Sequence, residues 1–164
     1  MTSHFLLESP IGTLTLVKTN GALSGLYMGN PVNVRAEMLG ARADSGFEDV
    51  VEQLQDYFAR KRTEFTVRIA PTGTAFQQRV WAKLRTIPYG ETRSYGQLAD
   101  AMGNRSAMRA VGAANGRNPI SIIVPCHRVI GRDGTLVGYG GGLERKRFLL
   151  ELEGATLAPT PRLF

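Results

Sequence analysis

Along residues 4–9, 12–18 and 22–28, apolar side chains alternate with polar ones or run together in short stretches, as in β-strands buried on one face or on both. Ser9-Pro10 divides the first pair and Asn20-Gly21 the second, and Asn-Gly between such stretches is a strong hairpin signal because both residues accept a left-handed backbone. An antiparallel meander is predicted. The period then changes: Phe47, Val50, Val51, Leu54, Tyr57 and Phe58 recur at helical spacing, which predicts an amphipathic helix over about 47–60. Residues 64–69 read as another strand, and Ala70-Pro71-Thr72-Gly73 breaks the pattern as a domain boundary would.

Helical spacing dominates after that link. Thr74 with Gln77 has capping-box spacing and opens a helix carrying Phe76, Val80, Trp81 and Leu84, stopped before Pro88-Tyr89-Gly90. Ser94 with Gln97 repeats the signal for a short helix to about Met102. The turn Gly103-Asn104-Arg105 leads into a second helix over about 106–116, giving a helix-turn-helix pattern. Arg109 stands in that helix among Ala107, Ala110, Gly112, Ala113 and Ala114; so small a surface suits entry into a nucleic-acid groove and equally suits packing on another helix. An apolar run over 120–124 precedes Pro125-Cys126-His127-Arg128, a glycine-rich loop occupies 138–142, and a last helix from about Leu143 to Glu153 is capped by Gly154. The expected class is α+β. A small β-rich N-terminal domain over 1–73 combines an antiparallel sheet with a helix, a helical domain with the helix-turn-helix covers 74–156, and a loosely held tail, with Pro159 and Pro161, spans 157–164.

Composition narrows the possibilities. At 164 residues the chain suits one ordinary domain or two small ones, and no apolar stretch reaches the roughly 20 residues of a membrane span. The start lacks the basic and apolar regions of a signal peptide, so a soluble, cytoplasmic protein is expected. One cysteine and two histidines exclude an internal disulfide and a four-ligand Cys/His zinc site, so no metal and no cofactor are expected. The net charge of +6 is unevenly placed: residues 1–73 hold 7 basic and 8 acidic side chains, residues 74–164 hold 13 and 6. Sixteen of the twenty cations are arginine, which forks onto phosphate oxygens, so a polyanion partner for the second half stands against the plainer reading of a solvated basic face.

Candidate chemistry centres on Cys126. A lone cysteine in apolar surroundings is most often an inert core residue, but this one is followed by a histidine and flanked by arginines, which would supply a base and a positive field for a thiolate. Neighbouring residues of an extended segment point to opposite faces, so His127 would reach the sulfur through a water, and Glu153 is the candidate to orient the imidazole. Gly140, Gly141 and Gly142 would let backbone amides approach a flat ligand, or merely form a flexible loop. Tyr95 is either core or a hydroxyl donor, and the amide of Gly96 at a helix start could meet a phosphate.

Several of these stretches together resemble the O6-alkylguanine-DNA alkyltransferases, the methylated-DNA–protein-cysteine methyltransferases. Ile123-Val124-Pro125-Cys126-His127-Arg128-Val129-Ile130 is similar to their active-site signature. Tyr89-Gly90-Glu91-Thr92, Ser94-Tyr95, Arg109-Ala110-Val111-Gly112, Asn118-Pro119, Gly138-Tyr139-Gly140-Gly141-Gly142 and Glu153-Gly154 follow in family order. The first half resembles the family's smaller β-rich domain without identifying it.

The resemblance implies a self-inactivating methylated-DNA–[protein]-cysteine S-methyltransferase acting on double-stranded DNA that contains O6-alkylguanine, and on O4-alkylthymine as well. Cys126 would be the alkyl acceptor, His127 the base acting through water and Glu153 its orienting carboxylate, with Asn118 bracing the turn between the recognition helix and an active-site strand. Tyr95 would crowd the 3′ phosphate and protonate guanine N3, and Arg109 would fill the gap left by the extruded base. The helix would lie in the minor groove, with Gly96 and Asn104 among the DNA contacts. The carbonyls of Cys126 and Val129 would read the guanine amino group, and Tyr139 with the Gly140 amide would line the ring and O6. A monomer is expected, with cooperative assembly on DNA left open. The sequence lacks the zinc ligands of some members and the second acceptor cysteine of others, and it has Gly140 where serine is frequent. The rival readings are a lesion binder, which would lack the cysteine, and a thiol hydrolase, which would turn over.

Overall fold

The computed structural model describes residues 1–29 and 34–159; within the tail, Pro161 and the rest of 160–164 lie outside the described residues. The chain divides into two compact units, Met1–Thr72 and Gly73–Phe164.

In the first unit, strands β1 (Thr2–Ser9), β2 (Gly12–Thr19) and β3 (Ala22–Met28) form the meander, β1 and β2 pairing in register from Thr2 opposite Thr19 to Ser9 opposite Gly12. The β2–β3 turn takes Asn20 and Gly21 to φ of 52° and 84°, the left-handed pair that a tight hairpin demands. Leu14, Leu16 and Val17 of the central strand are buried. Helix α1 (Glu48–Phe58) buries Val50, Leu54 and Tyr57, and Phe47 at its start stacks on Phe5 of β1 with centroids 5.7 Å apart.

Two expectations for this unit need correction. The sheet is mixed, because the two-residue strand β4 (Ala41–Arg42) joins β1 in parallel, too short to leave a periodic signal. Residues 64–69 are not a strand. They touch β3 at a single bridge, with Leu23 N–H donating to Arg68 O at 2.9 Å and Ala70 N–H to Leu23 O at 2.8 Å. At Thr66 the side chain of Gln53 takes the place of a strand partner, accepting the backbone N–H at 2.9 Å and donating to the hydroxyl at 2.7 Å. Side-chain and single-bridge bonds thus take the place of a ladder at Thr66 and Arg68.

In the second unit both capping boxes form. Thr74 caps α2 (Ala75–Leu84) and Ser94 caps α3 (Tyr95–Ala101), each side-chain oxygen accepting the N–H of the glutamine three residues on. The partner helix is shorter than predicted: Arg105–Ala107 is a 3-10 turn and α4 proper runs Met108–Gly116. α2, α3 and α4 pack together, and the buried indole of Trp81 donates to the Ala114 carbonyl at 2.8 Å. α5 (Leu143–Leu152) ends at Gly154, whose φ of 69° closes a Schellman cap: Ala155 N–H reaches Leu150 O at 2.9 Å and Gly154 N–H reaches Glu151 O at 3.0 Å. The segment after it is fastened rather than loose, since the fully buried Thr92 hydroxyl donates to Ala158 O at 2.9 Å.

A two-residue parallel pair positions the site. β5 (Arg93–Ser94) lies beside β6 (Val129–Ile130), Arg93 opposite Val129 and Ser94 opposite Ile130, so the strand that enters α3 at Tyr95 is fixed beside the strand that follows Cys126–Arg128. Ser94 therefore serves both pairing and capping. Ser94→Ala is expected to cost about 1 kcal/mol, the usual value of a lost N-cap, read as a lower urea midpoint with an unchanged slope.

Candidate active site

The segment leading to the cysteine is not the predicted extended strand. Cys126–Arg128 is a 3-10 turn, and the chain approaches it by successive reversals: Val124 N–H bonds Ile120 O at 3.0 Å, Ile123 N–H bonds Ser121 O at 2.8 Å, and Cys126 N–H bonds Val124 O at 2.8 Å. Pro125, at φ −82° and ψ 64°, is the centre of an inverse γ-turn, and having no N–H it could not have joined a ladder in any case. Ile122 sits at φ 70°, a left-handed conformation that costs a β-branched residue roughly 1–3 kcal/mol and so needs bracing.

Asn118 supplies the brace. Its Oδ1 accepts from Ile120 N–H at 2.9 Å, and its Nδ2 donates to Val124 O at 2.8 Å and to Cys126 Sγ at 3.2 Å. One amide thus straps the reversed loop and hydrogen-bonds the sulfur. The thiol is buried, and burial pushes its pKa up; the Asn118 bond, the Lys146 charge and the Tyr139 hydroxyl act against that. The cation that acts most strongly on the sulfur is Lys146, not one of the arginines expected to furnish the positive field.

His127 and Glu153 meet, both buried, with Nε2 and Oε2 2.8 Å apart. Arg128 grips the same carboxylate, Nε to Oε1 at 2.8 Å and Nη2 to Oε2 at 3.0 Å, and donates Nη1–H to Ile87 O at 2.7 Å while lying over the Tyr89 ring. Burial by itself would raise the Glu153 pKa; His127 and Arg128 outweigh it and hold the carboxyl well below the usual carboxylate range. Burial likewise lowers the His127 pKa against the pull of Glu153, so the imidazole is neutral beside an ionised carboxylate. A carboxylate accepts, hence Nε2 carries the proton and Nδ1 is a bare lone pair, buried and with no hydrogen-bond partner among the described residues. A buried, unused proton acceptor one residue from a thiol is what a general base looks like at rest.

The remaining residues fall into two groups. Near the sulfur, Tyr139 is half-buried with its hydroxyl bonded to Cys126 and Ser121, and burial raises its pKa well above the ordinary value. Tyr95, its pKa also raised by burial, donates its hydroxyl to Val137 O at 3.3 Å, and its ring faces Gly112 of α4. Gly140 is exposed, facing the Gly116 carbonyl. The Cys126 carbonyl accepts Val129 N–H, and the Val129 carbonyl accepts Lys146 Nζ at 2.6 Å. Away from the sulfur, Arg109 is exposed on the first turn of α4, on a face shared with Met108, Ala110, Ala113 and Gly116. Asn104 is exposed and accepts from the Ser106 hydroxyl at 2.6 Å. Gly96 is buried instead of open to a phosphate: a methyl group there would come within 3.0 Å of the Arg105 guanidinium, which pairs with Asp100 at 2.7 Å.

Arg128 and Lys146 are the residues that sequence reasoning missed. A signal for Lys146 existed, because Lys146, Leu149, Leu150 and Glu153 stand at i, i+3, i+4 and i+7, placing two charges on the buried stripe of α5. Arg128 left none, its neighbours being apolar in no regular period.

Comparison with known proteins follows the same division. Residues 75–155 match the model described as 6-O-methylguanine DNA methyltransferase, DNA binding domain, and residues 4–71 match 6-O-methylguanine DNA methyltransferase, ribonuclease-like domain. Methylated-DNA–protein-cysteine methyltransferases are similar along most of the chain: that of Mycobacterium tuberculosis is 53% identical over 93% of both chains, and that of Methanosarcina acetivorans 47% identical over 93% of this chain and 98% of the other. The crystal structure of M. tuberculosis OGT in complex with DNA has a TM-score of 0.86 and 53% identity, covering 96% of each chain.

Proposed function

Since this chain belongs to the methylated-DNA–protein-cysteine methyltransferase family, we propose that Cys126 takes the alkyl group from O6-alkylguanine in duplex DNA, once and irreversibly. The family makes it a DNA-binding methyltransferase of DNA repair. The observation that carries the finer reading is the set His127, Glu153 and Arg128 beside a buried thiol: an ionised carboxylate fixes the imidazole tautomer and leaves Nδ1 free to draw the thiol proton through a water. The sulfur then attacks the alkyl carbon, the carbon–O6 bond breaks with its electron pair going to O6, and the Tyr95 hydroxyl delivers a proton to N3 of the leaving guanine. A thioether forms, which water does not cleave, so the protein is consumed.

An O6-alkyl group is out of reach inside a stacked duplex, so the nucleotide must be extruded, at a cost of a few kcal/mol that is smaller for a damaged pair. The exposed small-residue face of α4 suits the minor groove, where little sequence is legible and a repair protein has no use for it. Tyr95 would crowd the 3′ phosphate, with Asn104 beside it, and Arg109 would occupy the vacated stack. Tyr139, the Gly140 amide and the carbonyls of Cys126 and Val129 would line the base, and O4-alkylthymine would be a second substrate. No described helix is long and apolar enough to cross a membrane, and a lone reactive thiol is best kept reduced in the cytoplasm. The protein would act there as a monomer, without cofactor.

The reading is tested by stoichiometry. Lesions repaired in an excess of O6-methylguanine duplex should level off at one per chain; continued turnover would contradict it. Arg109→Ala separates extrusion from mere binding. It should slow repair of duplex far more than transfer from free O6-benzylguanine or from a single strand, where no stack needs refilling. A residue that only met a phosphate would instead lower the salt slope of binding by roughly 0.9 and leave that ratio alone, so transfer rates on the three substrates decide the role.

A further inference from the structure

Lys146 is fully buried on α5, yet it is a lysine, and its ammonium is spent on three carbonyls: Val129 O at 2.6 Å, Val137 O at 3.0 Å and Gly138 O at 3.3 Å. The first belongs to β6, just after the Cys126–Arg128 turn; the others begin the glycine loop that carries Tyr139. Its neighbour Arg145 holds the far end of that loop, Nη1 to Gly141 O at 3.0 Å. Two of the three basic side chains of α5 thus fasten both ends of the loop, and Lys146 also joins it to the strand behind the cysteine. A buried amine is expensive, since desolvation disfavours the charged form. A methylene side chain would pack there at no such cost but would not hold three carbonyls.

We propose that Lys146 is a positioning residue for the transfer: its ammonium locks β6 and the 137–142 loop together as walls around the sulfur and supplies the buried positive charge that favours the Cys126 thiolate. The inference rests on the alkyltransferase reading. The titratable groups that sense the ammonium are Cys126 and His127 from the turn; Tyr139 lies in the loop that it fastens, and Glu153, just after α5, is committed to His127 and Arg128. Burial brings the Lys146 pKa down to about 8 against the upward pull of the cysteine's charge, so each group senses the other's proton.

That reciprocity can be measured without any DNA, which separates failure of this inference from failure of the repair activity. Only four lysines exist in the chain, so with isotopically labelled lysine each can be followed through its pH titration by NMR. One lysine should titrate well below the other three, and its midpoint should fall further in Cys126→Ala, where no thiolate can form. Midpoints identical in the two proteins would overturn the proposal, whatever other variants do. In Lys146→Met, the pH profile of Cys126 alkylation by iodoacetamide should move upward by about one unit, an about tenfold slower reaction at a fixed pH below the midpoint. Lys146→Arg, which keeps the charge, should restore the midpoint even where the larger head disturbs the loop and slows transfer from O6-benzylguanine. A Lys146→Met profile that superimposes on the parent's would mean that the lysine merely fills space.

Discussion

Cys126→Ala is expected to abolish alkyl transfer while leaving the affinity for duplex DNA within a few fold of the parent's. Cys126 is the one thiol in the chain, and no hydroxyl can replace it without its own activated base. The stability cost should be small, because the side chain is compact and Asn118 Nδ2 retains its 2.8 Å bond to Val124 O when the sulfur is gone. Binding should survive because Arg109 stands on an exposed surface of α4 while the thiol is buried. Single-turnover transfer and fluorescence-anisotropy binding, on the same preparation, check both halves. Substantial transfer by Cys126→Ala would end the nucleophile assignment, and loss of binding alongside transfer would mean that the variant had disturbed the fold.

Glu153→Gln should have the second largest effect, on stability and rate together. The amide keeps the shape but removes the charge that holds Arg128, leaving a buried guanidinium without a counter-ion, a change that typically costs about 3–5 kcal/mol. The pH dependence follows from the direction of the shift. The Glu153 pKa is depressed in the folded state, so its contribution is complete above the unfolded value of about 4.3 and is lost as pH falls toward the folded value. The gap in urea stability between parent and variant should therefore be full at neutral pH and narrow below about pH 4. His127, whose pKa is also depressed, adds a loss in the parent that begins below about pH 6.5. Without the carboxylate, the imidazole loses both its tautomer and its support as a base, so transfer should slow by roughly 100- to 10,000-fold. A variant that is destabilised yet transfers at the parent rate would leave the cluster with a structural role alone.

Much of this was legible in the residue pattern, for reasons that differ from element to element. The capping boxes at Thr74 and Ser94, the Asn20-Gly21 turn and the Gly154 cap depend on side chains or backbone freedoms within a few residues, so local sequence determines them. Residues 64–69 looked like a strand because strand character was there in the alternation, but Gln53, distant in sequence, took the Thr66 amide. The reactive segment was misread as extended for the opposite reason: its apolar run suggests a strand, whereas Pro125 and the Asn118 strap impose reversals that no periodicity records.

At the site itself, the sequence named the cysteine, the histidine and the carboxylate, because each is a chemically distinctive residue type in short supply. Which positive charge served which partner was not legible. Arg128 and Lys146 were two among twenty cations, and only the packing of α5 against the turn assigns one to the carboxylate and the other to the carbonyls around the sulfur. Gly96, expected to be open by its position at a helix start, is buried with the Arg105 guanidinium close to its α-carbon, a contact made across the helix-turn-helix.

The central claim is that the alkyl group ends on one particular sulfur. Its most direct test is the intact mass of the protein after incubation with duplex DNA containing O6-methylguanine, followed by fragmentation of the peptide that spans residue 126. A gain of one methyl group per chain, located on Cys126 and accompanied by unmodified guanine in the DNA, is the predicted result. An unchanged protein mass while repaired DNA accumulates, or a methyl group on any other residue, would contradict it.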